Sequence, residues 1–179
     1  VQQILNVAQA QAVVSLSDLL QTSDNTPKAV TVTTVPFGLR VTTTYSGSTV
    51  PPTLSGTYDV VAVVKDANWQ GDATATMIVN APPMIESQPV ATPNPGIVGH
   101  VISFFTSAID PDEPNLHYSW QFGDGNAANG QATFHSYATT GTYVARVLIS
   151  DDRGGKTTSD VHVSITTFDG GTEADNDGD

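Results

Sequence analysis

Side chains along this sequence alternate with a period of two, and no long window repeats apolar residues at the 3.6-residue spacing of a helix. In Leu39-Arg40-Val41-Thr42-Thr43-Thr44-Tyr45, positions 39, 41, 43 and 45 share one face, and Ser46-Gly47 ends the run. Tyr58 to Lys65, turned by Asp66-Ala67-Asn68, and Ala73 to Val79 continue the pattern. Thr, Val, Ser, Gly and Pro dominate, and each disfavours a helix interior through side-chain crowding, backbone entropy or a missing donor. The fold is expected to be all-β.

A passage from Ala81 to Pro95 holds Pro82, Pro83, Pro89, Pro93 and Pro95, so backbone donors are missing and strand pairing is expected to break there. Beyond it, Val101-Ile102-Ser103-Phe104-Phe105 reads as a buried strand. Tyr118-Ser119-Trp120-Gln121-Phe122 places three aromatics on one face, and Tyr143 to Ile149 and Val161 to Ile165 close the set. This spacing predicts two tandem antiparallel β-sandwich modules of immunoglobulin-like type. The expected divisions are the end of a preceding module or a linker over 1–11, one module over 12–81, a second over 82–167, and an acidic Gly/Asp-rich tail over 168–179. Modules this small have thin cores. Trp69 and Trp120 are the expected anchors.

Charge and composition exclude several classes of function. With 6 Lys+Arg against 18 Asp+Glu, the net charge of −12 repels phosphate backbones and anionic membrane surfaces, so no nucleic-acid partner is expected. No apolar run approaches the roughly 18–20 residues that span a bilayer, so no membrane insertion is expected in this segment. Cysteine is absent, which in a secreted chain points toward a bacterial or archaeal surface protein. The start, Val1-Gln2-Gln3-Ile4-Leu5, has neither an initiator Met nor a basic segment, and the numbering is expected to begin inside a longer precursor.

Two motif series carry family resemblances. Val14-Ser15-Leu16-Ser17-Asp18-Leu19, Thr26-Pro27-Lys28, Pro36-Phe37-Gly38-Leu39, Thr44-Tyr45-Ser46-Gly47, Ser55-Gly56-Thr57-Tyr58 and Asn68-Trp69-Gln70-Gly71 follow one another in the order of the MBG family, a repeat module of large bacterial surface proteins, which residues 12–79 resemble. Residues 84–166 resemble a PKD domain through Tyr118-Ser119-Trp120-Gln121-Phe122-Gly123-Asp124-Gly125, His135-Ser136-Tyr137, Gly141-Thr142-Tyr143-Val144 and Ser150-Asp151-Asp152-Arg153-Gly154-Gly155. The resemblance implies an immunoglobulin-like sandwich in a secreted protein. Gly123-Asp124-Gly125 itself reads as a tight reversal, with Asp124 suited to an Asx-turn.

Candidate chemistry is sparse. Asp110-Pro111-Asp112-Glu113 places carboxylates at i and i+2, able to converge on calcium or to finish a solvated turn. In some collagenase PKD domains the matching loop binds calcium, and the resemblance transfers that expectation to Asp110 and Asp112. Asp175, Asp177 and Asp179 alternate around Gly178 like the start of a thrombospondin type 3-like calcium loop, without the downstream acid that completes one. His100, His117, His135 and His162 lie in different segments, no HExxH or GxSxG occurs, and a Ser136–His135–Asp151 set fails because strand neighbours face opposite sides. Lys28 reads as an exposed edge-strand gatekeeper rather than an isopeptide donor.

Gln2 to Ala8 parallels Thr76 to Ala81, as though a preceding module ended there, and residues 1–10 are candidates for strand donation in a fibre. Together these features predict a non-catalytic structural or adhesive module pair of an extracellular, cell-surface protein, with neighbouring modules, extracellular protein or polysaccharide as partners. The alternatives are an accessory binding module of a secreted polymer-degrading enzyme, or a fibre subunit. Exposure of Trp69, Trp120, Phe134 or Tyr137 on an open sheet face would favour the accessory module.

Overall fold

The computed structural model describes residues 8–168, and no helix forms among them. The chain passes from one compact unit to another between Pro82 and Pro83. The first unit contains β1 (Ala10–Gln11), β2 (Val13–Ser17), β3 (Leu20–Thr22), β4 (Thr31–Val35), β5 (Val41–Tyr45), β6 (Gly56–Val64), β7 (Trp69–Gln70) and β8 (Asp72–Asn80). A four-stranded sheet runs β3-β8-β6-β5, with the antiparallel β2-β4 pair and the short β1-β7 pair completing the unit. Leu16 of β2 and Val32 of β4 pack on Val30, Tyr45, Val60, Met77 and Val79, so the β2-β4 pair closes over the sheet.

The second unit contains β9 (Met84–Thr92), β10 (Gly96–Ile97), β11 (Ile102–Ile109), β12 (His117–Gln121), β13 (Ala127–Asn129), β14 (Ala132–His135), β15 (Gly141–Ser150) and β16 (Lys156–Thr166). One sheet runs β10-β16-β15-β12-β13 and the other β14-β11-β9. Between them lie Ile102, Phe104, Trp120, Phe122, Tyr137, Ala145, Val147, Ile149, Val163 and Ile165. The alternation read from Tyr118 to Phe122 holds, since Trp120 and Phe122 are buried while Ser119 and Gln121 are exposed. Phe104 packs on both, with ring centroids 5.5 Å from Trp120 and 4.9 Å from Phe122.

The fold is all-β and sandwich-like, and the pairing departs from a purely antiparallel pattern. β1 pairs parallel with β7, β3 with β8 and β10 with β16, each over two or three residues. The paired strands are far apart in sequence, and the strands between them supply the crossover that parallel pairing requires.

Three expectations are corrected. The Pro-rich passage does not end strand pairing, because nine-residue β9 runs through Pro89. Pro89 falls where the β9–β11 register shifts between Phe105 and Ser107, on an edge strand, so its missing N–H breaks no ladder bond. The Thr106 hydroxyl, fully buried, donates to the Ser87 carbonyl at 2.7 Å and serves the irregular stretch. Trp69 is only half-buried on β7 and does not join the first core, which is built around Tyr45, Met77 and three valines. Lys28 is not an exposed gatekeeper: its side chain is 12% exposed and its ammonium sits 2.7 Å from Asp24.

Candidate functional site

The acidic loop between β11 and β12 is built by its own side chains. Asp110 Oδ1 accepts the backbone N–H groups of Asp112 and Glu113, each at 3.0 Å, and Glu113 Oε1 accepts the Asn115 N–H at 3.2 Å. That leaves Asp110 Oδ2, which is buried and accepts no hydrogen bond. Burial and then the adjoining Asp112 carboxyl push the Asp110 carboxyl above its ordinary value. Two carboxyls held together need a proton or a cation between them. The oxygen donors suit calcium, but calcium takes about six to eight oxygens and no third His, Asp or Glu joins this pair among the described residues. Asp175, Asp177 and Asp179 lie outside the described residues.

A second cluster surrounds the reversal after β12. Gly123 has φ +84°, and a Cβ there would stand 2.7 Å from the Val144 carbonyl oxygen, so both conformation and close approach require glycine. Asp124 accepts the Asn126 N–H through Oδ1 at 3.0 Å, and through Oδ2 it accepts Asn126 Nδ2 at 3.0 Å and His135 Nε2 at 2.7 Å. Burial opposes the Asp124 charge, yet the hydrogen bonds from Asn126 and His135 prevail and hold its carboxyl below the ordinary value. The His135 ring lies flat on Phe122, centroids 4.2 Å apart, and meets Tyr137 edge-on at 4.6 Å.

Tyr137 is itself fully buried and donates its hydroxyl to the Phe122 carbonyl at 3.0 Å. Burial, with Asp124 and Tyr143 nearby, pushes the phenol up to about 12. His135 thus serves the turn and not a nucleophile. Of the other histidines, His117 pairs with Asp152 at 2.7 Å on the surface, and that carboxylate is more than half exposed. The cleft beside it, about 580 Å³ and open to solvent, is lined by small polar residues including Ser119, Asn129, Gln131 and Ser150. None of these is an activated nucleophile.

The outer surfaces of the second sandwich differ. On the five-stranded sheet the outward residues of β16 are Lys156, Thr158, Asp160, His162 and Ser164, beside Val144, Arg146, Leu148 and Ser150 of β15 and Ser119 of β12, so two apolar side chains stand among polar ones. On the three-stranded sheet apolar side chains gather around Phe105, with Glu86, Thr92, Ser103 and Ser107 at polar outward positions. Phe105 of β11 stands between Val90 of β9 and Ala132 of β14, and Phe134 follows two residues on from Ala132. Phe134 is 69% and Phe105 42% exposed. Of the four aromatics named from the sequence, Trp120 and Tyr137 are buried, Trp69 is half-buried and only Phe134 stands open. Phe105 escaped sequence reading because Phe104-Phe105 resembles a strand buried on both faces. Strict alternation from Ile102 would have placed it outward.

In the first unit, Ala10 and Ala12 donate backbone N–H bonds to Asn68 and Gln70 at 2.8 Å, so this stretch pairs within its own unit. A Cβ at Gly71 would lie 2.4 Å from the Ala12 carbonyl oxygen, and glycine permits that approach. Residues 1–7, the rest of the strand-donation candidate, lie outside the described residues.

Comparison with known proteins agrees with these features. The MBG domain family matches residues 12–82 and the PKD domain family residues 80–167. A 60-residue stretch is 32% identical to collagenase ColA of Clostridium perfringens (strain 13 / Type A), covering 34% of this chain and 5% of that protein. The PKD1 domain of Vibrio anguillarum Epp, 24% identical, aligns over 49% of this chain and 98% of its own with a TM-score of 0.41. Extracellular domains 3–5 of Drosophila OTK, 13% identical, align over 87% of this chain and 62% of theirs with a TM-score of 0.51, a likeness of fold. The matched domains are non-catalytic modules. Motif order, two sandwiches and two family matches lead to one assignment: this chain carries an MBG domain followed by a PKD domain.

Proposed function

We propose that this chain is a non-catalytic accessory pair of an extracellular protein, spacing neighbouring domains and contacting an extracellular polymer, either protein or polysaccharide. One observation carries the reading. The paired Asp124 and His135 are spent on fixing a turn, while Met84, Val90, Phe105, Ile109 and Phe134, five of the exposed large apolar side chains, share one sheet face. Polar groups that finish turns do no chemistry, whereas a concentrated apolar surface is what a contact module presents. Similarity of one segment to collagenase ColA fits an accessory place in a secreted protein. The test is co-sedimentation of the intact chain with insoluble extracellular polymers, assaying the supernatant for soluble products. Retention without product release is expected, and release of product would overturn the non-catalytic reading.

We further propose that the Asp110–Asp112 pair takes up calcium as a structural ion. Asp110 Oδ2 and the adjoining Asp112 carboxyl would hold it, and the ion would supply the positive charge that two adjacent carboxylates call for. Thermal melts in millimolar calcium and in EDTA are expected to differ by several degrees, and superimposable curves would overturn this.

A further inference from the structure

The outer face of β14-β11-β9 is not an ordinary solvent face. Outward along β11 come Ser103, Phe105, Ser107 and Ile109, while Ile102, Phe104 and Thr106 point into the core. Val90 flanks Phe105 on one side, and Ile109 is paired with Met84 further along. Val90, Phe105, Ile109, Met84 and Phe134 are each between 42% and 69% exposed. The Phe105–Phe134 relation is diagonal across adjacent strands, a spacing of about 7–8 Å that lets two rings form one flat surface. Polar positions bound this patch along the strands: the Ser107 hydroxyl donates to Glu86 Oε2 at 3.2 Å on one side of Phe105, and the Ser103 hydroxyl to the Thr92 carbonyl at 3.1 Å on the other.

Size and charge select the occupant. Three strands and eight residues make a face about 14 Å by about 26 Å, on the order of 350 Å². A stable protein pair buries about 800 Å² per partner, so this face is too small to hold a second copy by itself. It is the size of a functional patch on a monomer. Glu86 is the only formal charge among these outward positions, and the chain as a whole carries −12, so an acidic polymer is repelled. A narrow polymer with apolar ring faces and hydroxyl edges matches what remains: rings for Phe105 and Phe134, hydroxyls for the Ser107–Glu86 pair.

We propose that this face, centred on Phe105 and Phe134, is a binding platform for a neutral polysaccharide. The proposal rests on the reading of the chain as an accessory contact module and names its ligand class. Both phenylalanines are exposed, so Phe105→Ser with Phe134→Ser removes the platform without emptying the core, and an unchanged thermal melt checks this. Ser119→Ala with His162→Ala on the opposite sheet is the control. The probes are cellulose, chitin and xylan as neutral polymers, alginate as an acidic one, and fibrillar collagen.

Retention of the intact chain on at least one neutral polymer, weakened about tenfold or more in the double phenylalanine variant and unchanged in the control, is the expected result. Neutral retention equal in both variants would overturn the platform while leaving the accessory role standing. Retention on collagen alone, or stronger retention on alginate, would overturn the ligand class. Retention on none of these polymers would defeat the platform and the contact role together.

Discussion

The two domains solve the same packing problem with different cores. The MBG domain encloses Val30, Tyr45, Val60, Met77 and Val79, five buried residues with one aromatic ring. The PKD domain encloses ten, among them Phe104, Trp120, Phe122 and Tyr137, and its aromatics continue through His135 and Tyr143 in one connected series. A small aliphatic core leans on its backbone ladders, which here include nine-residue β6 paired with β8. The larger core adds apolar burial and ring contacts at about 0.5–1.5 kcal/mol per pair beyond area. The PKD domain is therefore expected to be the more stable partner.

The sharpest way to break this contrast is to remove one large side chain from each core. Trp120→Ala empties the centre of the PKD core and takes away the Nε1–H bond to the Gly130 carbonyl, with a loss of about 3–5 kcal/mol expected in urea unfolding. Met77→Ala costs about 2–5 kcal/mol in the smaller core. That is a large share of the stability of a domain this size, and loss of the MBG signal in near-native buffer is the expected readout.

Single hydroxyls sharpen it. Tyr45 Oη accepts the buried Val30 N–H at 3.1 Å, whereas Tyr137 Oη donates to the Phe122 carbonyl. Tyr45→Phe orphans a buried N–H, at about 1–3 kcal/mol, and Tyr137→Phe frees a carbonyl at about 0.5–1.5 kcal/mol. Denaturant midpoints for the two domains should rank the variants in that order.

Acid gives the smallest effect. The Asp124 carboxyl is depressed in the folded state, so its contribution is present above the unfolded value of about 3.9 and disappears as pH falls through the folded one. In the MBG domain Asp24 is also depressed, first by Lys28 and then by Thr26, but that carboxylate is 59% exposed and salt screens it. In moderate salt, acidification below about pH 4 should lower the PKD midpoint in the wild type and less so in Asp124→Asn. Equal pH slopes in the two proteins would contradict the assignment.

The difference between the domains also governs what was legible in the sequence. Trp120, Phe122 and the Gly123-Asp124-Gly125 reversal declare themselves because a large ring and a glycine with positive φ have few alternative places. Trp69 misled, since a lone tryptophan beside Asn68 and Gly71 reads as a core anchor, but parallel pairing with Ala10–Gln11 holds it at an edge. β9 was hidden because a proline's meaning depends on whether its strand is an edge, and that is a property of the assembled sheet. The acidic loop was legible as a turn, whereas the burial of Asp110 Oδ2 arises only from what packs around it.

Each domain contains one tryptophan, which allows the central claim of two self-contained cores to be tested directly. In Trp120→Ala, fluorescence reports Trp69 alone; in Trp69→Phe it reports Trp120 alone. Urea titrations are predicted to give a Trp69 midpoint in Trp120→Ala equal to that of the MBG transition in the wild type, with Trp120 unfolding at higher urea in Trp69→Phe. A Trp69 transition that falls together with the PKD domain when Trp120 is removed would show one merged core and contradict the account.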